Sequence, residues 1–154
     1  MRKLYLVRHA DAGHRGRRHE PDERRELSER GRRQAEGLRA QLADAGITRL
    51  VASPFLRCLQ TLGPLAKHLG VEVEADERLA EGQGAAGALA VTREVRGVTA
   101  ALCSHGDVVP DLLEALQAGG TKLTGELRWQ KASTWVLTWD GHNLAKGKYL
   151  SPPS

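Results

Sequence analysis

The chain has 154 residues, a formal net charge of +4 and only 4% aromatic residues. This length suits one domain, residues 1–154, which would bury roughly 70% of the surface that the unfolded chain exposes. Scarce aromatic side chains argue against a nucleic-acid partner, because binding modules of that kind stack bases on aromatic rings. No run is long and apolar enough for a signal peptide or a membrane span, so we expect a cytoplasmic protein without a membrane partner.

The remaining composition concerns metals, cofactors and charge. Cys58 and Cys103 lack the spacing of metal ligands, so we expect no disulfide, no metal and no other cofactor. Residues 1–40 contain 12 of the 23 Lys and Arg residues but only 7 of the 19 Asp and Glu residues. This basic excess favours an anionic substrate, although a solvated basic surface explains it as well.

The first element is a short apolar run at residues 4–7, which predicts a buried strand that ends at Arg8 and His9. In open α/β sheets, ligands bind in the crevice at the carboxyl ends of the strands. A polar stretch at residues 11–26 follows, and its glycines indicate a loop. Its basic residues are either contacts at the mouth of a site or solvated side chains: His14, Arg15, Arg17 and Arg18.

Helices and strands alternate through the rest of the first half. In order, the sequence predicts a helix from an N-cap at Ser28 to Gly46, a strand at residues 47–52, a helix that starts at Ser53 and Pro54 and ends at Gly70, and a strand at residues 71–73.

The second half continues the alternation and ends in a hairpin. In order, we expect a loop at residues 81–87, a weak helix within residues 88–96, a buried strand at residues 98–103, a helix at residues 107–118, and strands at residues 133–139 and 143–149. This order predicts an α/β fold, a three-layer α/β/α sandwich. Its central sheet should be mostly parallel, with the hairpin as an antiparallel edge.

Two predicted strands end in the same residue type, since His9 follows the first strand and His105 follows the strand at residues 98–103. In a parallel sheet both imidazoles emerge at one edge. Arg8 lies beside His9, Arg57 lies one turn into the second helix, and Ser53 lies at that helix start, where free amides favour an anion. Two guanidinium groups and two imidazoles suit a dianionic phosphoryl group, and one imidazole would be the nucleophile that forms a phosphohistidine.

Five fragments in order resemble the histidine phosphatase, or phosphoglycerate mutase-like, superfamily. They are Leu6-Val7-Arg8-His9-Ala10, Leu27-Ser28-Glu29-Arg30-Gly31-Arg32-Arg33-Gln34-Ala35, Ala52-Ser53-Pro54 with Arg57 and Thr61, Leu79-Ala80-Glu81, and Ser104-His105-Gly106. The resemblance implies a phosphoglycerate mutase-like fold and makes His9 the phosphorylated nucleophile.

The same resemblance gives roles to the other residues of the motifs. Arg8, Arg57 and His105 would form the phosphate pocket, next to Ser53 at the helix start. Glu81 would give a proton to the leaving group and later activate water. A solvated loop carboxylate is the alternative for Glu81, because the short branch of the family often lacks a clear acid at this position.

The short chain lacks the insertions that enclose sugar phosphates in other members, so it resembles the SixA-like branch. Residues 131–137 are also similar to the histidine-phosphatase domain that follows a Nudix domain in bacterial nucleotide-sanitising proteins, which implies nucleoside di- or triphosphates. We therefore expect metal-independent hydrolysis of a phosphomonoester, phosphoanhydride or phosphoramidate. The substrate would be a phosphohistidine protein or a small-molecule phosphate.

Two readings from other classes compete with this hypothesis. One is a nucleic-acid-binding module that uses the basic loop, and the other is a catalytically silent family member that binds a phosphorylated partner. The sequence leaves the oligomeric state open.

Overall fold

The computed structural model describes residues 1–14 and 20–153. In this part of the chain the strands are β1 (Lys3–Arg8), β2 (Arg49–Ala52), β3 (Val73–Ala75), β4 (Ala100–Ser104), β5 (Lys122–Leu123), β6 (Thr134–Asp140) and β7 (Asn143–Leu150). The α-helices are α1 (Glu29–Leu42), α2 (Leu56–Leu69), α3 (Ala85–Glu94) and α4 (Val108–Ala118). Short 3₁₀ helices lie at Asp22–Arg24 and Glu77–Leu79.

All strands join one sheet in the order β3-β2-β4-β1-β6-β7-β5. Neighbouring strands are parallel from β3 to β1, β6 is antiparallel to β1 and β7, and β5 is parallel to β7. The predicted α/β fold with a mostly parallel sheet is therefore confirmed. One detail is different, because the two-residue strand β5 pairs with the outer side of β7 and so places the hairpin inside the sheet.

A hydrophobic core lies on each face of the sheet, and β1 contributes to both because its side chains alternate. Tyr5 and Val7 pack on the face covered by α1 and α2, and Leu4 and Leu6 pack on the face covered by α3 and α4. This buries β1 on both faces and fixes its register, so the residues that follow it are held in a defined place.

The second helix begins later than predicted. Ser53 and Pro54 precede the helix, and α2 starts at Leu56 with Phe55 as its N-cap. The Ser53 hydroxyl accepts the Phe55 amide at 3.2 Å, which satisfies a donor before the helix rather than within it. The first helix ends at Leu42, before the predicted Gly46, which has a left-handed φ of 78° in the turn that follows.

No helix among the described residues is both long and apolar enough to cross a membrane.

Candidate active site

His9 and His105 lie side by side because β1 and β4 are parallel neighbours. Arg8 pairs in register with Ser104, and the His9 amide donates to the Ser104 carbonyl at 3.0 Å. The two imidazole centroids are 5.4 Å apart, with an angle of 67° between the rings. His9 is 6% exposed and His105 is fully buried, so both rings are largely shielded from water.

The imidazole of His9 is held as a single neutral tautomer. Its Nδ1–H donates to the carbonyl of Ala10 at 2.8 Å, so Nε2 carries the lone pair. Burial lowers the pKa of His9 to about 3, and the charges of Arg57, His105 and Arg8 lower it further, against the opposing effect of the Ala10 hydrogen bond. At neutral pH this ring is therefore uncharged and able to act as a nucleophile through Nε2.

Thr61 connects the segment after β1 to helix α2. Its buried hydroxyl accepts the Ala10 amide at 2.9 Å and donates to the Arg57 carbonyl at 2.6 Å. One side chain therefore fixes both the backbone beside His9 and the backbone of Arg57. The sequence placed Thr61 in a family fragment, but gave it no role.

Arg57 is fully buried and is the second residue of α2, so it lies nearer the helix start than the predicted one turn into the helix. Its two terminal nitrogens donate to Asp22, one to the carbonyl at 2.9 Å and the other to the carboxylate at 3.0 Å. The second nitrogen also lies 3.4 Å from Oε1 of Glu81. The guanidinium carbon is 5.0 Å from the ring centre of Phe55, which adds a cation–π contact.

Sequence reasoning missed Asp22, because nothing in a polar loop distinguishes a site carboxylate from a solvated one. Burial raises the pKa of Asp22, but the charge of Arg57 and the hydrogen bonds from Arg25 and Arg57 outweigh burial and lower it overall. Asp22 is therefore an ionised carboxylate on the guanidinium that the sequence assigned to phosphate.

Arg8 is held between the turn after His105 and the segment before β6. One terminal nitrogen donates to the Trp129 carbonyl at 2.8 Å. A Cβ atom at Gly106 would lie 2.7 Å from the other terminal nitrogen, so a larger residue at this position would displace the guanidinium. Burial lowers the pKa of Arg8 from its very high ordinary value. The side chain remains a cation at neutral pH.

Ser53 and Cys58 both contact Nε2 of the His105 imidazole. The Ser53 hydroxyl lies 2.8 Å from Nε2 of His105, and the Cys58 sulfur lies 3.6 Å from the same nitrogen. Phe55 packs edge-on at 4.7 Å between ring centroids. Ser53 therefore lies against an imidazole of the site, and its hydroxyl is engaged there as well as with the Phe55 amide.

Glu81 reaches Arg57 because two hydrogen bonds hold its loop against β4 and α4. The Ser104 hydroxyl donates to the Leu79 carbonyl at 2.6 Å, and the Gly82 amide donates to the Asp107 carboxylate at 2.8 Å. The side chain of Glu81 is 28% exposed, so it lies at the rim of the site, with access to water.

The described residues include five buried side-chain nitrogen or oxygen atoms without a hydrogen-bond partner. They are Arg8 Nε, Arg57 Nε, His105 Nδ1, Thr134 Oγ1 and Trp139 Nε1. Such atoms are rare in folded proteins and call for an explanation. Three of the five belong to the cations and the imidazole that surround His9, and an oxyanion is the partner that those three groups would share.

The basic residues of the polar stretch at residues 11–26 add little to the candidate site. His14 is exposed and lines a surface cleft with Asp22 and Arg25. Arg15, Arg17 and Arg18 lie outside the described residues. In residues 1–14 and 20–153, no three His, Cys, Asp or Glu side chains are grouped so as to hold a metal ion.

The chain is similar to several known proteins. It is 36% identical over 155 residues to the 8-oxo-(d)GTP phosphatase of Mycolicibacterium smegmatis, an alignment that covers 97% of this chain but 48% of that protein. The chain thus spans about half the length of this curated relative.

Solved structures share the fold. The putative phosphohistidine phosphatase SixA from Agrobacterium tumefaciens superposes with a TM-score of 0.79 at 23% identity, over 98% of both chains. The protein histidine phosphatase SixA complexed with tungstate gives a TM-score of 0.75 at 23% identity, over 99% of this chain and 96% of that one. A sequence profile of the histidine phosphatase superfamily (branch 1) matches residues 4–89. This match confirms the family that the five fragments predicted, and the chain belongs to the histidine phosphatase superfamily.

Proposed function

We propose that this chain is a phosphatase that passes a phosphoryl group first to His9 and then to water. The observation that carries the proposal is the set of three buried atoms without partners, on Arg8, Arg57 and His105, around an uncharged His9. A tetrahedral dianion would supply hydrogen-bond acceptors for all three side chains and would place its phosphorus beside a nucleophilic nitrogen.

In the first step, Nε2 of His9 attacks phosphorus and the bond from phosphorus to the leaving group breaks. The hydrogen bond from Nδ1 to the Ala10 carbonyl stabilises the positive charge that the ring gains. In the second step, water attacks phosphorus, the bond between phosphorus and nitrogen breaks, and its electron pair returns to Nε2. Water loses its proton, and inorganic phosphate leaves.

Arg8, Arg57 and His105 would bind the equatorial oxygens and stabilise negative charge in both transition states. Ser53, buried against Nε2 of His105, would act mainly by holding that ring. These groups are fixed by packing and hydrogen bonds before any substrate arrives, which is the arrangement that electrostatic catalysis needs.

Glu81 would protonate the leaving group and then accept the proton of the attacking water. The carboxylate lies at the rim of the site, 3.4 Å from Arg57, where both a leaving oxygen and water have access. An alcohol needs this proton to leave, whereas phosphohistidine and phosphoanhydrides have better leaving groups and depend on it less.

The proposed substrate class is based on a relative that is similar to this chain in sequence. The 8-oxo-(d)GTP phosphatase aligns with nearly the whole of this chain, which favours a nucleotide phosphate among the substrates that the sequence left open. A phosphohistidine protein is the second candidate, because the structures with the SixA name have the same fold.

The test is hydrolysis of p-nitrophenyl phosphate by the purified chain, with and without a chelator. We expect activity that survives chelation and is lost in His9→Ala, together with an acid-labile phosphoryl adduct on His9 seen by mass spectrometry. His142→Ala, in the exposed turn of the hairpin, is the matched control and should behave like the wild type. Full activity in His9→Ala would refute the mechanism.

A further inference from the structure

A cationic cleft lies beside the candidate active site and shares Arg8 with it. It has a volume of about 560 Å³, and its polar lining is Arg8, Asp11, Arg30, Gln34, Gln130 and Lys131. Three of these side chains are cations and one is a carboxylate, so the cleft carries a net charge of +2. The volume is in the range of small-molecule sites, and two glutamine amides add uncharged hydrogen-bonding groups.

Contacts with Asp11 connect Lys131 to the start of helix α1, whose first turn carries Arg30. The Lys131 ammonium lies 3.3 Å from one oxygen of the Asp11 carboxylate, and the Ser28 hydroxyl donates to the other at 2.5 Å. A Cβ atom at Gly31 would lie 1.9 Å from the Asp11 carbonyl, so the first turn of α1 packs directly on this backbone. Arg30 therefore projects from a helix turn fixed against the residue that pairs with Lys131.

Asp11 does not neutralise the cleft. The hydrogen bond from Ser28 lowers the pKa of this carboxyl, as does Lys131, whereas burial opposes them. One ionised carboxylate thus faces three cations, and Arg30 is exposed. An added anion would meet a net positive field in a concave cleft, where attraction is stronger than on a flat surface.

Arg8 joins this cleft to the candidate active site. Its guanidinium lies over Gly106, the residue after His105, and the same side chain lines the cleft. Its Nε atom is buried without a partner, and one terminal nitrogen is engaged with the Trp129 carbonyl. Arg8 therefore belongs both to the group of cations beside His9 and to the lining of the cleft.

We propose that this cleft is a subsite for the second phosphate of a nucleoside di- or triphosphate whose terminal phosphate is attacked by His9. This inference rests on the proposed function and narrows its substrate class. A small, flexible polyanion suits the cleft, because its adjacent charges can reach two neighbouring sets of cations at once. Arg30 and Lys131 would select for chain length without contacting the phosphoryl group that is transferred.

The test compares GDP with GMP, because the two differ by the phosphate that the cleft would hold. We expect the wild type to have the larger kcat/KM for GDP. Arg30→Gln and Lys131→Gln should each lower the ratio of the GDP and GMP constants about tenfold, mainly through KM, since each loses a charge-assisted contact. Arg39→Gln, on the exposed side of the same helix, should keep the wild-type ratio.

The outcomes separate this inference from the phosphatase proposal. If the chain hydrolyses neither the two nucleotides nor p-nitrophenyl phosphate, the proposed function itself is overturned. If the chain hydrolyses GDP and GMP but neither Arg30→Gln nor Lys131→Gln changes the ratio of their kcat/KM values, the subsite is overturned and the phosphatase proposal stands. A preference for a phosphohistidine peptide over GDP that is independent of Arg30 would also overturn the subsite. A wild-type ratio that is highest at low salt and falls as the salt concentration rises would support it, because salt screens the cations of the cleft.

Discussion

Asp22 accepts two hydrogen bonds from the guanidinium of Arg57, one on its carbonyl oxygen and one on its carboxylate. The fully buried arginine of the candidate site is thus bound on its terminal nitrogens by a loop, and its Nε has no partner. A phosphoryl group that binds Arg57 approaches a guanidinium that already has a carboxylate beside it. Two negative charges would then share one cation, and their repulsion would weaken phosphate binding.

Asp22→Asn tests this competition. The variant keeps the carbonyl contact and removes the negative charge, so the inhibition constant of inorganic phosphate should fall about fivefold, as expected for a charge pair near 4 Å in water. Asp140→Asn, which changes an exposed aspartate at the end of β6, is the control and should leave that constant unchanged. Weaker inhibition by phosphate in Asp22→Asn would show instead that the carboxylate orients Arg57 productively.

Thr61→Val should reduce both stability and turnover. The valine leaves the buried Ala10 amide without its acceptor, which costs about 1–3 kcal/mol of unfolding free energy, and it frees the backbone beside His9. Urea unfolding and kcat measure the two effects. Thr92→Val is the matched control, because its buried hydroxyl donates only to a carbonyl in its own helix in the hydrogen bonds described. Equal losses in both variants would contradict a positioning role for Thr61.

Glu81→Gln should distinguish leaving groups. We expect the rate on an alkyl phosphate to fall about 10²-fold, because its alcohol must be protonated as it departs, and the rate on a phosphohistidine peptide to fall far less. Glu77→Gln, on an exposed residue of the preceding 3₁₀ helix, should leave both rates unchanged. An equal reduction on both substrates would exclude the acid role.

His9 should make the protein less stable in acid. Its pKa is about 3 in the folded chain and near 6.5 when unfolded, so below pH 6.5 the unfolded state binds a proton that the folded state does not. Stability from this group is complete above pH 6.5 and is lost as the pH falls towards 3, at up to about 1.4 kcal/mol per pH unit.

Urea unfolding at several pH values between 4 and 7 measures that loss. The carboxyls with lowered pKa values, such as Asp11 and Asp22, also contribute to stability and lose that contribution at lower pH. They are present in the wild type and in His9→Gln alike. Subtraction of the His9→Gln curve therefore isolates the imidazole. Parallel curves for wild type and variant would contradict the neutral, buried state of His9.

The sequence was sufficient to predict how His9 and His105 meet. Both follow apolar strands, and parallel strands bring their carboxyl ends to one edge, so the pairing depends on local pattern and sheet direction alone. Helix positions were also predictable to within a few residues, because apolar spacing decides them. Arg57 was predicted from its place in the second helix, and the family fragments then added Glu81.

Contacts across the chain were not predictable in this way. Asp22 reaches Arg57 through the path of an irregular loop, which no periodicity encodes. Thr61 bonds to Ala10 only because α2 crosses the end of β1, and that crossing is a tertiary property. Strand β5 has two residues, too few for any alternation to appear, so the hairpin seemed to end the sheet.

The place of β1 in the sheet also affects when the candidate site can form during synthesis. Strand β1 lies between β4 and β6, and both are translated long after it. A nascent chain that has left the ribosome only as far as α2 already carries His9 and Arg57, yet β1 has neither of its two neighbours to pair with. The edge of the sheet that carries His9 can take this form only once β6 has been translated, so His9 gains its observed surroundings only after residues 134–140 have left the ribosome.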